Sequence, residues 1–203
     1  VRSRGLGDVY KRQGINCLTG IRKQTNKDLG EHDMFQRFFP NEYYDSTYHI
    51  DFQAFYDKGY RAVLFDVDNT LVEHDAPANA RAKALIQKLK DMGYGVCFVS
   101  NNDEERVKSF NEQVGATYVY KAGKPSARGY VQAMQKLGTD RTNTLFVGDQ
   151  IFTDIWGANN AQLYSILVQP IAKHEEIQIV LKRIPEKWVL HSYLKKHTLQ
   201  TGK

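Results

Sequence analysis

The sequence predicts an α/β fold: a doubly wound parallel sheet of about five strands, with helices on both faces. Short apolar segments alternate with amphipathic helical segments from residue 51 onward, which is the pattern of βαβ units. The apolar segments are nearly unbroken runs of Val, Leu, Ile and Phe, as in strands buried on both faces. With 203 residues, of which 41% are hydrophobic, the chain can bury a full core in one domain.

The first half of the sheet is marked by two apolar strands and the helices around them. Asp51 is expected to cap a short helix that ends before a strand at residues 62–67. Asp75 and Pro77 open a second helix, which ends at Gly93 and whose apolar residues recur at i, i+3, i+4 and i+7. A second strand is predicted at residues 95–100.

The same alternation continues in the second half. Asn102, followed by three acidic residues, starts a third helix, and residues 117–120 form the third strand. Ser126 is expected to cap a fourth helix that ends at Gly138, before a fourth strand at residues 144–147.

The last elements are a short helix, a strand and a longer helix. The short helix is rich in small residues and follows Asp154, and the fifth strand is predicted at residues 162–168. The apolar positions of the final amphipathic helix are Ile177, Val180, Leu181 and Ile184. The segment from Trp188 to Leu194 is expected to pack on the sheet.

The domain is expected to cover residues 34–203, and residues 1–33 are interpreted as an N-terminal extension. Residues 1–13 lack a starting Met and have no sustained apolar period, so we treat them as candidate non-native sequence. The aromatic and basic residues between Phe35 and Tyr48 leave two interpretations open. The segment lies over the sheet, or it anchors the protein at a membrane interface.

Charge and cysteine content narrow the class of protein. A formal net charge of +5 suits anionic partners, such as a phosphorylated substrate, nucleic acid or an acidic membrane surface. Cys17 and Cys97 do not suggest a disulfide framework, and no apolar segment approaches the roughly 20 residues that cross a bilayer. We therefore expect a cytoplasmic protein, with the inner face of the membrane as a peripheral alternative.

Two aspartates stand where the first strand ends. Asp66 and Asp68 are two positions apart, so both side chains point to one side beyond the carboxyl end of the strand, where open α/β sheets bind ligands. Two neighbouring carboxylates repel each other unless a cation lies between them, and hard oxygen ligands beside a phosphate suit Mg²⁺. The alternative is a turn, since Asp-Asn-Thr is also common in loops.

Further polar residues follow the same strand and the next three: Thr70, Ser100, Asn101, Lys124, Asp149 and Asp154. The carboxyl ends of parallel strands face one crevice in this fold. Structural alternatives remain, because Ser100 with Asn101, or Asp154, could cap a helix and Lys124 could be a solvated surface charge. His74 is given no role, and the histidines form no pair at the spacing of zinc ligands.

The segments that carry these residues resemble the four motifs of the haloacid dehalogenase superfamily of phosphohydrolases. They read FDVDNT from Phe65, FVSNN from Phe98, GKP from Gly123 and GDQIFTD from Gly148. Together with FPNEY from Phe39, they are similar to the YqeG family, type IIIA, which groups with phosphatidylglycerophosphate phosphatases. The resemblance implies a Rossmann-like sheet and Mg²⁺-dependent hydrolysis of a phosphomonoester through an aspartyl-phosphate.

The resemblance also implies a role for each candidate residue. Asp66 is the nucleophile, Asp68 is the general acid and base, and Lys124 neutralises charge on Asp66 and on the transferred group. The implied Mg²⁺ ligands are Asp66, the backbone carbonyl of Asp68, Asp149 and Asp154. The implied phosphate-binding residues are Asn69, Thr70, Ser100, Asn101 and Lys124.

The spacing of the motifs bears on the substrate. The intervals from Asp66 to Ser100 and from Ser100 to Lys124 are each filled by one helix and one strand, which leaves no room for a cap domain. An open crevice admits a phosphate on a lipid, a protein or a nucleic acid, and the resemblance makes phosphatidylglycerophosphate the leading substrate. The alternative is a non-catalytic or regulatory protein of the same fold that binds nucleic acid or the ribosome through its basic surface.

Overall fold

The fold is a six-stranded parallel sheet with helices on both faces, seen in a computed structural model that describes residues 35–172, 177–195 and 197. For residues 177–184 only the backbone is described. The strands are β1 (Glu42–Tyr44), β2 (Ala62–Phe65), β3 (Gly95–Val99), β4 (Thr117–Val119), β5 (Thr144–Gly148) and β6 (Tyr164–Val168). Their order is β1-β6-β5-β2-β3-β4, and every pairing is parallel. The predicted fold class is confirmed.

The α-helices of the described residues are α1 (Phe52–Asp57), α2 (Ala80–Asp91), α3 (Glu104–Glu112), α4 (Arg128–Leu137), α5 (Trp156–Asn160) and α6 (Ile177–Leu194). Asp51 caps α1, because its side chain accepts a hydrogen bond from the N–H of Ala54. Asp103 caps α3 in the same way, directly after the predicted start at Asn102. Gly138 ends α4 in the left-handed conformation that favours glycine.

Two helices begin later than the sequence predicts. Asp75 and the proline after it precede α2 and do not open it, because Asp75 has a left-handed φ of +56° and its N–H donates to Asp68. Asn79 caps α2. Ser126 does not occupy the cap position of α4, although its Oγ accepts a hydrogen bond from the N–H of Arg128 at 3.3 Å.

The sixth strand, β1, lies at one edge of the sheet. Its central residue, Tyr43, is paired with Leu167 of β6 and is buried. A strand of three residues is too short to show a readable alternation, which explains why the sequence pattern predicts only five strands. The aromatic segment from Phe35 to Tyr48 therefore contributes a strand to the sheet and does not simply lie over it.

The core has one layer on each face of the sheet. Along β2, Val63 and Phe65 pack in a cluster with residues of α1, α2 and α3, whereas Leu64 packs in a cluster with residues of α4 and α5. All three side chains are fully buried. This burial on both faces explains why the strands are continuously apolar. Cys97 of β3 is a buried free thiol, and Cys17 lies outside the described residues.

The described side chains of the final helix pack on one side of it. Val189 and Tyr193 are buried in a cluster with Leu167 of β6, whereas Trp188 is 74% exposed. The prediction that this segment packs on the sheet therefore holds for part of its residues. The predicted apolar stripe in the first half of α6 lies outside the described side chains. Within the described residues, no helix is both long enough and apolar enough to cross a bilayer.

The direction of the chain reverses beside β2. From β2 the chain continues to β3 and β4 on one side, and then returns to β5 and β6 on the other. In open α/β sheets the carboxyl ends of the strands at such a reversal form the usual ligand site. Between β2 and β3 lies only α2, and between β3 and β4 lies only α3, so the described chain carries no cap domain over this end of the sheet.

Candidate active site

Asp66 lies at the carboxyl end of β2, at the centre of the sheet. Its N–H donates to the carbonyl of Val147 in β5 at 2.9 Å, which fixes the backbone of Asp66 between neighbouring strands. Asn69 has a left-handed φ of +62°, so the chain turns sharply just after Asp68. Asp66 and Asp68 both line one open pocket, as the sequence predicts.

This pocket has a volume of about 220 Å³. Six predicted site residues line it: Asp66, Asp68, Asn69, Ser100, Asn101 and Lys124. The lining residues that were not predicted are His74, Asn102, Gln150 and Thr153. Thr70, Asp149 and Asp154 are buried and do not line the pocket, although they contact residues of the site. The fold thus brings all nine candidate residues into one region.

The ammonium group of Lys124 joins two carboxylates inside the protein. Its Nζ lies 2.6 Å from Asp66 Oδ1 and 2.7 Å from Asp154 Oδ1, and all three side chains are buried. Asn101 holds the backbone that carries Lys124, because its side-chain amide donates to the carbonyl of Lys124 at 3.1 Å and accepts from the N–H of Lys124 at 2.8 Å. Lys124 is therefore a fixed internal cation and not the solvated surface charge of the alternative interpretation.

Asp154 and Asp149 are placed by the turn that follows β5. The turn is π-helical over Ile151–Ile155, and Asp154 Oδ2 accepts hydrogen bonds from the N–H groups of Asp149 at 3.1 Å and Gln150 at 3.0 Å. Gly148 is required at the end of β5, because a Cβ there would lie 2.6 Å from the side chain of Asp154. Asp154 does cap the turn, as its structural alternative proposes, while its second oxygen contacts Lys124.

The three buried carboxylates form a group that could hold a metal ion. One oxygen from each of Asp66, Asp149 and Asp154 lies within 4.8 Å of the others. Burial raises the pKa of Asp66 to about 7, with Lys124 opposing this shift and Asp154 adding to it. Burial alone would lower the pKa of Lys124, but Asp154 and Asp66 raise it above its ordinary value. Lys124 therefore stays protonated between Asp66 and Asp154.

Asp68 is held by three donors from other parts of the chain. Arg106 Nη2 donates to Asp68 Oδ1 at 2.7 Å, Asn102 Nδ2 donates to Oδ2 at 2.6 Å, and the N–H of Asp75 donates to Oδ1 at 2.9 Å. The side chains of Asp68 and Arg106 are largely buried. The sequence pattern did not assign Arg106 or Asn102 to the site. The available signal was their position at the start of α3, the helix that follows β3.

The candidate phosphate-binding groups differ in whether they already donate a hydrogen bond to another group of the protein. Ser100 Oγ accepts from the N–H of Asn102 at 3.1 Å, so its hydroxyl proton can still be donated to an anion. Thr70 Oγ1 donates to Asp149 Oδ1 at 3.4 Å. The N–H of Asn69 donates to the carbonyl of Val72 at 2.7 Å. Ser100 is therefore the side-chain hydroxyl of this set that lies open to the pocket.

Comparison with known proteins identifies a relative that matches most of the chain and a family that matches its middle part. Residues 73–162 match the family described as haloacid dehalogenase-like hydrolase. The chain is 32% identical over 169 residues to "Probable phosphatase YqeG" of Bacillus subtilis (strain 168), which covers 82% of this chain and 98% of that protein.

Two further comparisons are more distant. The chain is 26% identical over 148 residues to "Phosphatidylglycerophosphate phosphatase 1, chloroplastic/mitochondrial" of Arabidopsis thaliana, and the match covers 65% of this chain and 41% of that protein. Among solved structures, a HAD phosphatase from Thermococcus onnurineus superposes with a TM-score of 0.48 at 12% identity, over 62% of this chain and 97% of that one.

Proposed function

The chain belongs to the YqeG family of haloacid dehalogenase-like hydrolases and is a phosphatase, and from that premise we propose that it hydrolyses phosphomonoesters through a phosphorylated Asp66, with Mg²⁺ bound beside it. One observation carries this proposal. Of the three carboxylates that lie within 4.8 Å of one another, Asp66 is the one that also lines the open pocket. It is therefore the carboxylate that a phosphate entering the pocket would meet.

The acidic cluster fits a divalent cation. When Asp66, Asp149 and Asp154 are ionised, they carry three negative charges, and Lys124, which contacts Asp66 and Asp154, opposes them with one positive charge. Two negative charges are left, which a divalent ion would balance. The three carboxylates, with the backbone carbonyl of Asp68, would hold the ion. Bound Mg²⁺ would offset the charge of the phosphoryl oxygens at Asp66.

In the first half of the reaction, Asp66 is phosphorylated. A carboxylate oxygen of Asp66 forms a bond to phosphorus while the bond from phosphorus to the ester oxygen breaks, and Asp68 gives its proton to that leaving oxygen. Lys124 Nζ, 2.6 Å from Asp66, offsets negative charge on the transferring group. The Ser100 hydroxyl and the backbone N–H groups around Asn101 bind phosphoryl oxygens.

In the second half, the phosphorylated Asp66 is hydrolysed. Asp68 takes a proton from a water molecule, and the water oxygen attacks phosphorus and releases inorganic phosphate and the free carboxylate of Asp66. Both steps need Asp68 to lie beside the pocket. The contacts of Arg106 and Asn102 with its two oxygens support this placement.

A generic aryl phosphate tests the proposed chemistry. The wild-type protein should release phosphate when Mg²⁺ is present and lose this activity when the metal is removed by a chelator. The Asp66→Asn protein should be inactive under both conditions. Asp91→Asn is a matched control, because Asp91 is exposed at the end of α2. Turnover by the Asp66→Asn protein, or full activity without metal, would contradict the proposal.

We further propose that the substrate is phosphatidylglycerophosphate, met by a protein that touches the membrane surface. The similarity to the Arabidopsis protein and the absence of a cap domain from the described chain support this proposal. The open pocket can admit a phosphate that is part of a larger assembly. The test compares kcat/KM for phosphatidylglycerophosphate in mixed micelles with kcat/KM for sugar, nucleotide and glycerol phosphates. A higher value for any of the soluble phosphates would reject the lipid.

A further inference from the structure

A second groove lies outside the active site, between α4 and the residues that follow β4. Its volume is about 260 Å³. One wall is the outer face of α4, where Arg128, Gln132 and Lys136 stand four positions apart and therefore on one side of the helix. The other wall includes Tyr120 and Lys121. We call this feature the α4–β4 groove.

The α4–β4 groove is positively charged. Every charged side chain that lines it is basic: Lys121, Arg128 and Lys136. The sequence has no acidic residue between Glu112 and Asp140, the interval that contains the groove. Within the described residues, the side chains of Lys121 and Arg128 make no hydrogen bond or ion pair, and both are exposed. The positive charge is therefore available to an anionic ligand.

The edge of the sheet beside the groove is already covered. β4 is an edge strand, and Lys136 Nζ donates to the carbonyl of Tyr118 at 2.9 Å while lying over the ring of that residue. A lysine placed across an edge disfavours the addition of a peptide strand. This arrangement argues against an acidic peptide as the ligand and leaves Lys121 and Arg128 to bind a compact anion.

The α4–β4 groove adjoins the active-site pocket through the loop after β4. The N–H of Lys121 donates to the carbonyl of Asn102, and the N–H of Ala122 donates to the carbonyl of Ser100, each at 2.9 Å. Asn102 and Ser100 line the pocket, whereas Lys121 and Ala122 line the groove. Ala122 and Lys124, which lines the pocket, are two residues apart, so their Cα atoms are within about 7 Å. The pocket and the groove are therefore neighbours, separated by the loop after β4.

We propose that the α4–β4 groove binds a second phosphate group of the substrate, one that is not hydrolysed. The inference rests on the proposed phosphatase function of the Asp66 site. A groove of about 260 Å³ is smaller than most pockets for complete drug-sized ligands, which suits a single charged group. Arg and Lys are the side chains that bind phosphate oxygens in proteins. The substrate class is thus a compound with two phosphates, of which the monoester is cleaved at Asp66.

The kinetic test compares two substrates that differ only in the second phosphate, propyl phosphate and propane-1,3-diyl bisphosphate, with longer diol bisphosphates to cover the spacing. Wild-type protein should show a kcat/KM about tenfold higher for the best bisphosphate, the effect of one charged hydrogen bond. Lys121→Gln combined with Arg128→Gln should remove this preference and leave propyl phosphate hydrolysis unchanged. The control combines Lys83→Gln with Lys88→Gln, the same charge change on the exposed face of α2, and should keep the preference.

A binding measurement separates failure of this inference from failure of the proposed function. Titration calorimetry of the Asp66→Asn protein with the same compounds should show about tenfold tighter binding of the bisphosphate. We call Lys121→Gln combined with Arg128→Gln the groove variant, and the difference should disappear when these two changes are added to Asp66→Asn. If that difference in binding is seen and the wild-type protein hydrolyses neither compound, phosphate binding by the groove is supported and the proposed phosphatase function is contradicted. If both compounds are hydrolysed and bound equally well, the function stands and the groove is rejected.

The source of the second phosphate is distinguished with a short-chain phosphatidylglycerophosphate, whose second phosphate is a diester. Loss of kcat/KM in the groove variant on this lipid alone would assign the groove to a lipid diester. Loss on the diol bisphosphates alone would assign it to a free phosphate group. An equal kcat/KM of the groove variant and the control on both kinds of substrate would overturn the inference.

Discussion

The guanidinium of Arg106 contacts the carboxylate of Asp68 at 2.7 Å, across the interval from α3 to the loop after β2. Arg106 Nη2 also donates to the carbonyl of Ala76 at 2.9 Å, so the arginine ties the loop that carries Asp68 to the helix after β3. The contact fixes the position of the residue proposed to carry the proton. It connects a surface helix with the chemistry at the end of β2.

Arg106→Ala should impair proton transfer more than it impairs attack by Asp66. The general acid matters most when the leaving group departs poorly without a proton, so kcat/KM should fall about tenfold or more for an alkyl phosphate and less for an activated aryl phosphate. The measurement is kcat/KM against leaving-group pKa. Lys108→Ala, an exposed change on the same helix, should leave that dependence unchanged. An equal loss for all leaving groups would show that Arg106 acts on folding or on binding alone.

A proton and Mg²⁺ should compete for the carboxylate of Asp66. Burial, opposed by Lys124 and increased by Asp154, raises the pKa of Asp66 from 3.8 to about 7 in the metal-free protein. Between these two values the folded state keeps a proton that the unfolded state has released, so the free energy of unfolding should fall as pH rises through this interval. A bound metal needs the ionised carboxylate, so Mg²⁺ affinity should decrease as pH falls below about 7.

Urea unfolding in a chelator at about pH 5 and about pH 8 measures the first effect. Asp66→Asn should remove a decline of at most about 3 kcal/mol between these conditions. Asp91→Asn should keep the wild-type decline, because Asp91 is exposed. If the Asp66→Asn protein loses stability with pH as the wild-type protein does, the buried proton is not on Asp66.

Asp149 should act through the metal and not through the fold. Asp149→Ala removes one of three carboxylates from the cluster, so Mg²⁺ should no longer raise the melting temperature and turnover should be lost. The melting temperature in a chelator should stay near that of the wild-type protein, because one source of repulsion is gone. Thermal unfolding of both proteins, with Mg²⁺ and in a chelator, measures these melting temperatures. Wild-type activity of this variant at low Mg²⁺ would exclude Asp149 as a ligand.

The sequence predicts the site better than it predicts the contacts that hold the site. Asp66, Ser100 and Asp149 could be placed because apolar strands end abruptly and their carboxyl ends meet in a parallel sheet. The partners of Asp68 could not be placed, because Arg106 is 38 positions away and reads as an ordinary charge on an exposed helix. Hydrogen bonds between distant segments depend on side-chain directions that spacing alone does not give.

The contacts of the N-terminal part of the domain likewise could not be predicted from the sequence. Its aromatic residues leave open a segment that lies over the sheet and a membrane anchor. In the structure Phe38 packs edge to face against Phe152 at 5.1 Å and Trp156 at 5.2 Å. Tyr43 enters the sheet in a strand of three residues. The partners of Phe38 and Tyr43 lie in the turn after β5, in α5 and in β6, which sequence periodicity does not connect with residues more than a hundred positions earlier.

Phe38 and Phe35 should therefore respond differently to substitution. Phe38→Ser removes the two aromatic contacts and should lower the free energy of unfolding by about 2 kcal/mol, whereas Phe35 is 43% exposed and Phe35→Ser should change it by less than about 0.5 kcal/mol. If the segment also binds membranes, Phe35→Ser should reduce sedimentation with anionic lipid vesicles at unchanged stability. Equal sedimentation of the wild-type and Phe35→Ser proteins would argue against an anchor at this residue.

The two aspartates at the end of β2 should fail in different ways. Asp66→Asn replaces the attacking carboxylate with a neutral amide, so no phosphorylated protein should form and activity should vanish for every substrate, whatever its leaving group. Asp68→Asn keeps the nucleophile and the backbone carbonyl proposed to contact the metal, and it loses the proton carrier. A general acid contributes about 10²–10⁴-fold, and it contributes least when the leaving group departs readily without a proton. Phosphorylation by an activated aryl phosphate should therefore persist.

Hydrolysis of the intermediate should then become the slow step of the Asp68→Asn protein, because no base is left to take the proton of water. Phosphate should accumulate on Asp66 as a mass increase that is lost on treatment with hydroxylamine, which cleaves acyl phosphates, and the Asp66→Asn protein should show no such increase. The Asp91→Asn protein should turn over substrate at the wild-type rate, and it should accumulate no more bound phosphate than the wild-type protein. Phosphate found on Asp68 would make Asp68 the nucleophile, whereas turnover by the Asp66→Asn protein without any phosphorylated protein would favour direct attack by a metal-activated water.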